Sequence, residues 1–158
     1  MNLYTKLQAL ASNGQHIRIG MIGAGKFGTM FLAQAPKLCG IHVVAICELD
    51  VSKATSNLAF IGWPQDQFSA TSIDDAIKHH TSFITDDSQL IIDSPFIDII
   101  VECTGNPLVA AAHALASFAA KKHVINATVE ADAFCGPGLA ASAREEGVIY
   151  SMAFGDQP

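Results

Sequence analysis

The chain has 158 residues, a net charge of −6, 50% hydrophobic residues and 15% charged residues. That length suits one domain whose core needs no disulfide or metal to hold it, and the apolar composition suits a sheet covered on both faces. The acidic balance and nine scattered basic residues argue against nucleic acid as a partner, because neutralising phosphates takes clustered Lys and Arg.

Leu3, Leu7 and Leu10 recur at helical spacing, and Asn13-Gly14 is a stop signal, so residues 1–15 read as a short helical arm packed on a domain spanning 16–158. A first strand is expected over 16–22. A helix over 26–38 follows, with Phe27, Met30, Phe31, Ala35 and Leu38 on its apolar face and Pro36 distorting its last turn. Ile41–Ile46 is a nearly continuous apolar run, the mark of a strand inside a parallel sheet. Val51–Phe60 reads as a helix started with help from Ser52, and residues 61–72, with Gly62-Trp63-Pro64, as a loop. A short helix over 73–78, a strand over 82–85, a helix ending near Ile92 and a strand over 96–103 come next. Asn106 and Pro107 suit the N-cap and first position of a helix that ends at Lys121-Lys122. Residues 124–127 form a fifth strand, 137–146 a helix stopped by Gly147, and 148–153 a sixth strand. The alternation calls for a doubly wound α/β fold: a mostly parallel, six-stranded Rossmann sheet in the order 3-2-1-4-5-6. The loop-like ending Gly155-Asp156-Gln157-Pro158 reads as a domain boundary or a truncation.

The first strand runs into Gly23-Ala24-Gly25-Lys26-Phe27-Gly28, a G-x-G-x-x-G motif opening a helix. Gly23 permits the turn, Gly25 lets backbone approach a pyrophosphate, and Gly28 lets the helix pack close to the strand. The N–H groups and positive dipole end of that helix favour phosphate. Glu48, twenty residues beyond Gly28, is placed to accept from the adenosine ribose hydroxyls. A carboxylate there favours NAD over NADP. Asp50 is the competing acid, and either acid can instead cap the next helix. Lys53 lies within reach of a 2′-phosphate, so the cofactor is read as NAD or NADP. Cys103-Thr104-Gly105-Asn106 leaves the fourth strand beside the switch point where ligands sit in such sheets. An ordinary capped turn accounts for the same residues. Glu130 and Asp132 follow the fifth strand and are weak candidates for proton transfer or cation binding, against a reading as solvated loop acids. Lys121, Lys122, Arg144, Glu145 and Glu146 read as surface charges, and Trp63 as a packing residue.

Cys39, Cys47, Cys103 and Cys135 include no C-x-x-C pair and read as reduced, buried thiols. The histidines have no metal-ligand spacing, so no metal is expected. The longest apolar stretch, Pro107 to Ala120, is interrupted and too short to cross a bilayer. Lys6 is followed by no apolar leader, which makes the cytoplasm the expected location.

The run Ile97–Gly105, followed by Lys122-His123-Val124-Ile125-Asn126, resembles the NAD(P)-binding domain of homoserine dehydrogenases. Val129–Asp132, Gly147–Ser151 and Gly155–Pro158 are closer to a homoserine-dehydrogenase-like group that carries a C-terminal SAF domain and includes 1-deoxy-D-xylulose 5-phosphate reductoisomerase-like enzymes. The resemblance implies a Rossmann domain, a nicotinamide cofactor and a larger substrate domain downstream. It assigns Gly23, Gly25 and Gly28 to the pyrophosphate, Glu48 to the ribose, and Cys103, Thr104 and Gly105 to the nicotinamide half. Reductoisomerase-like members imply NADPH, against the plain reading of Glu48. Homoserine dehydrogenases carry a lysine shortly after the fifth strand, whereas Asn126-Ala127-Thr128-Val129 has none, which argues against homoserine as the substrate. The expected function is the cofactor domain of an NAD(P)-dependent oxidoreductase moving hydride to or from a small carbonyl or alcohol. A non-catalytic nucleotide-binding or regulatory module is the alternative. An S-adenosylmethionine methyltransferase fits the spacing of Gly28 and the sixth strand less well. Apolar surface left by a missing substrate domain would promote a homo-oligomer.

Overall fold

A computed structural model describes residues 2–153; the Gly155–Pro158 part of the resemblance lies outside the described residues. The chain alternates as expected through α1 (Leu3–Ser12), β1 (Ile17–Ile22), α2 (Lys26–Leu32), β2 (Ile41–Cys47), α3 (Val51–Phe60), α4 (Ile73–His79), β3 (Phe83–Thr85) and α5 (Ser88–Asp93). It continues through β4 (Ile99–Glu102), α6 (Pro107–Ala119), β5 (His123–Asn126), α7 (Val129–Glu145) and β6 (Tyr150–Met152). All six strands are parallel, in the order β3-β2-β1-β4-β5-β6. The order reverses between β1 and β4, which leaves a crevice at their carboxyl ends, where open α/β sheets generally bind ligands.

The two faces of the sheet feed two cores, and a register shift in the β1–β2 pairing puts the neighbours Val44 and Ala45 in the same one. Met21, Val43 and Ile46 pack against Leu32 of α2 and Ala54 and Leu58 of α3. Ile22, Val44, Ile100 and Val124 pack on the other face against Ile73, Ile91, Phe118 and Leu139. Both faces of the central strands are therefore covered, and their near-continuous apolar sequences follow.

Two helices differ from the sequence reading. The helix expected over 26–38 stops at Leu32, and a separate 3₁₀ turn spans Ala35–Lys37. Pro36 has no N–H to give to the carbonyl of Leu32. The indole Nε1 of Trp63 donates to that carbonyl instead, at 2.9 Å. The buried positions are Gly28, Leu32 and Ala35, while Met30 and Leu38 face solvent. The last long helix starts at Val129 rather than 137. Its axis kinks at Cys135 (φ −143°, ψ 16°), two residues before Pro137. The 3₁₀ turn Gln65–Phe68 lies inside the expected 61–72 loop. The arm α1 lies against Gly40, where a Cβ would strike the backbone carbonyl of Leu7.

Lys121 and Lys122 part company. Lys121 is exposed and pairs with Glu146 at 2.6 Å. Lys122, expected at the surface, is buried, and its Nζ donates to the carbonyls of Ser94 (2.6 Å) and Ile97 (2.8 Å). These carbonyls lie between α5 and β4 and have no strand partner of their own, so the ammonium satisfies them.

Candidate functional site at the carboxyl edge of the sheet

The loop after β1 is fixed from three directions. The N–H of Gly23 donates to Cys47 at the end of β2, and the N–H of Cys103, at the end of β4, donates to Ile22. Both polar groups of Ala24 are engaged: its N–H donates to Glu48 Oε2 at 2.8 Å, and its carbonyl accepts from Thr29 Oγ1 (3.0 Å) and Asn57 Nδ2 (3.1 Å). Asn57 and Thr29 were not legible as site residues. Each is an ordinary polar residue on a helix in the sequence, and only the fold aims both at one carbonyl.

The three motif glycines meet different surroundings. Gly23 has φ +97°, and a Cβ on it would lie 2.6 Å from the carbonyl oxygen of Cys103. A Cβ on Gly28 would overlap the carbonyl oxygen of Gly23 and the Met21 methyl. A Cβ on Gly25 would meet nothing within 4 Å. Gly23 and Gly28 are thus required by the protein's own packing, whereas at Gly25 the fold leaves room on the crevice side. Gly25 is also the N-cap of α2 and makes no side-chain cap bond, which leaves first-turn N–H groups for a ligand.

Glu48 lies beside this loop. Its Oε2 is held by Ala24, while Oε1 has no hydrogen-bond partner among the described residues. Asp50 is turned to another purpose. It caps α3, accepting from the N–H of Lys53 at 3.0 Å and from Ser52 Oγ at 2.6 Å, and those bonds hold its carboxyl below the usual range. Lys53 is on the exposed first turn of α3.

Across the switch point, Gly105 adopts φ +70° and its N–H donates to Thr128 Oγ1 at 3.0 Å. Asn106 caps α6 through bonds from the N–H groups of Leu108 and Val109. The Cys103 thiol is pushed up to about 12, chiefly by burial and then by the neighbouring Glu102, so it is no nucleophile near neutral pH. Glu102 itself is fully buried. It accepts from Thr104 Oγ1 (2.5 Å), the Thr104 N–H (3.2 Å) and Thr128 Oγ1 (2.5 Å), with His113 Nδ1 at 3.5 Å. The sequence reading passed over Glu102 and Thr128. The available signal was a carboxylate in the otherwise apolar run Ile99-Ile100-Val101-Glu102-Cys103, where an acid is costly unless it is bonded.

Glu130 and Asp132 belong to the first turn of α7, not to a loop. Glu130 is exposed. Asp132 folds back on its own helix: a Cβ on Gly136 would come within 2.5 Å of Asp132 Oδ1. Nearby, the Tyr150 hydroxyl is pushed up to about 12, first by burial; the bond from Asn126 Nδ2 lowers it, and the charge of Asp132 raises it.

A cavity of about 310 Å³ lies at the opposite, amino edge, lined by His16, Cys39, His42, Trp63 and His80 among others. It includes none of the candidate site residues at the carboxyl edge.

The fold of the chain as a whole matches known proteins. Solved structures with similar folds include a homoserine dehydrogenase from Thiobacillus denitrificans, 23% identical, with a TM-score of 0.64 over 87% of this chain and 29% of that one. A homoserine dehydrogenase from S. aureus is 22% identical, TM-score 0.61, over 87% of this chain and 32% of that one. GenD2 from gentamicin A biosynthesis, in complex with NAD, is 15% identical, TM-score 0.65, over 87% and 34%. The chain thus spans about a third of the length of these structures. Comparison with curated proteins returns no match. The family model for the homoserine dehydrogenase NAD-binding domain matches residues 19–152, from within β1 through β6, and on that match the chain belongs to this NAD-binding family.

Proposed function

We propose that this domain binds NAD(P) across the β1/β4 crevice and serves an oxidoreductase that moves hydride to or from a small carbonyl or alcohol substrate. The observation that carries the reading is the contrast among the glycines. Of the three, Gly23 and Gly28 are closed off by the protein, while a Cβ on Gly25 would meet nothing within 4 Å, beside first-turn N–H groups of α2 that no side chain caps. Gly25, Lys26, Phe27 and Gly28 would hold the pyrophosphate through backbone N–H groups. Glu48 Oε1 would accept from the adenosine ribose, which favours NAD over NADP. Cys103, Thr104, Gly105 and Asn106 would flank the other half. The bound nicotinamide supplies the hydride chemistry, and the protein's part is to orient it and exclude water.

The reading extends to the homoserine-dehydrogenase-like group with a SAF domain and reductoisomerase-like members, supported by the likeness of 129–132 and 147–151, and to a separate substrate domain. Homoserine itself is disfavoured by the lysine-free run 126–129. Between the two acids after β5, exposed Glu130 is the better candidate to exchange a proton with substrate, since Asp132 is turned back onto Gly136. Four free cysteines fit a reducing, cytoplasmic setting.

Titration of the chain with NADH and NADPH, followed by nucleotide fluorescence, tests the reading. Saturable binding with NADH preferred is the expected result. Absence of binding by either at millimolar concentration refutes it, and tight S-adenosylmethionine binding instead would reassign the site.

A further inference from the structure

Glu102 is fully buried, and its three closest donors come from two places: the turn after β4 and the residue before α7. A carboxylate there loses its hydration, and an apolar residue would continue the strand at lower cost. What the carboxylate adds is direction. A threonine hydroxyl has one proton, and both Thr104 and Thr128 commit theirs to Glu102, one to each oxygen. Thr128 Oγ1 is thereby left as an acceptor, and it takes the N–H of Gly105, the residue held at φ +70°. Thr104 Oγ1 is likewise an acceptor toward the N–H of Asn106, at 3.4 Å. One carboxylate thus sets the backbone of residues 104–106.

We propose that Glu102 is a positioning residue for the nicotinamide ring of the dinucleotide only. The inference rests on the reading of the crevice given above. With the pyrophosphate on the glycine loop and the adenosine ribose toward Glu48 on β2, the turn 104–106 lies on the far side, against the nicotinamide half. Among the described residues the Glu102 carboxylate makes no direct hydrogen bond on the adenosine side; His113, at 3.5 Å from it, is the one link in that direction, through Ser88 Oγ at 3.1 Å. Removal of the carboxylate therefore affects NADH and spares a ligand that stops at the second ribose.

The test compares NADH with ADP-ribose, which shares everything except the nicotinamide ring, on the wild-type chain and on Glu102→Gln. Glutamine keeps the shape but presents an NH₂ group where one threonine hydroxyl must donate. The NADH Kd is expected to rise roughly tenfold, as for the loss of about one hydrogen bond from the misplaced turn 104–106 to the nicotinamide, while the ADP-ribose Kd stays within about twofold. The change in nicotinamide fluorescence on binding should shrink in parallel. Equal weakening of both ligands, or of neither, overturns the proposal. Should Glu102→Gln not fold, Thr128→Val and Thr128→Ser carry the test. Valine should raise the ratio of NADH Kd to ADP-ribose Kd and serine should restore it; an unchanged ratio in valine, or no rescue by serine, overturns the proposal. If the wild-type chain binds ADP-ribose but not NADH, the nicotinamide assignment of the turn fails. If it binds neither, the dinucleotide reading itself fails.

Discussion

Replacing Gly28 and Gly25 by alanine separates packing from ligand binding. In Gly28→Ala the new Cβ overlaps the Gly23 carbonyl oxygen and the Met21 methyl. The methionine end can move, but the carbonyl belongs to a loop bonded to β2 and cannot. Overpacking of this kind costs about 2–3 kcal/mol, and the gain in helix propensity returns about 0.8 kcal/mol. The net loss of about 1.2–2.2 kcal/mol lowers the melting temperature by about 2–9 °C for a chain of this length. Gly25 has φ −70°, which alanine adopts freely, and its Cβ meets nothing. Gly25→Ala should melt within a degree or two of wild type, yet bind NADH about tenfold or more weakly, because its methyl fills the space left for pyrophosphate. Thermal unfolding by circular dichroism and an NADH titration on each variant give the two readouts. A Gly28→Ala protein as stable as wild type, or a Gly25→Ala protein with wild-type affinity, would refute the reasoning.

Lys122→Met keeps the aliphatic stem but leaves the Ile97 carbonyl without a donor among the described residues and the Ser94 carbonyl with only the long 3.4 Å bond from the Ile97 N–H. Urea unfolding should show a loss of about 1–3 kcal/mol, and a neutral result would mean water replaces the ammonium. Stability should also fall in mild acid through His42 and His80, whose rings meet at a tilt with centroids 4.3 Å apart, His80 also meeting His16 edge-on at 4.6 Å. Burial, then the charge of neighbouring imidazoles, holds His42 and His80 below 6.5, although the contact of His42 with the Thr81 carbonyl opposes this. The unfolded chain therefore binds more protons than the folded one just below 6.5. Their contribution is complete above that pH and is lost as pH falls through the lowered folded values. His80→Asn, which tolerates the left-handed φ of 57°, should flatten the melting-temperature profile between about pH 7 and 5. An unchanged slope would count against the cluster as its source.

The fold was legible because its signals are local and repeated. The apolar runs at 17–22, 41–47 and 99–102, with a capping residue such as Asn106 or Asp87 before the helices, leave little choice of architecture. The glycine motif was legible for the same reason. What escaped notice depends on contacts distant in sequence. Pro36 ended α2 early because Trp63 was available to take the orphaned carbonyl of Leu32. Lys122 read as a helix-end charge until the fold brought Ser94 and Ile97 beneath it. Glu102 read as one more strand residue, though its bonds to Thr104 and Thr128 organise half the crevice. Glu130 and Asp132 read as a pair, but the helix that starts at Val129 separates them into one exposed acid and one turned inward.

Backbone amide ¹H–¹⁵N spectra of the chain titrated with NADH show which edge of the sheet holds the dinucleotide. The predicted shifts are at Ala24–Gly28, Glu48 and Cys103–Asn106, with the lining of the amino-edge cavity at His16, Cys39 and His80 unmoved. Shifts centred on that cavity, with the glycine loop silent, would contradict the account.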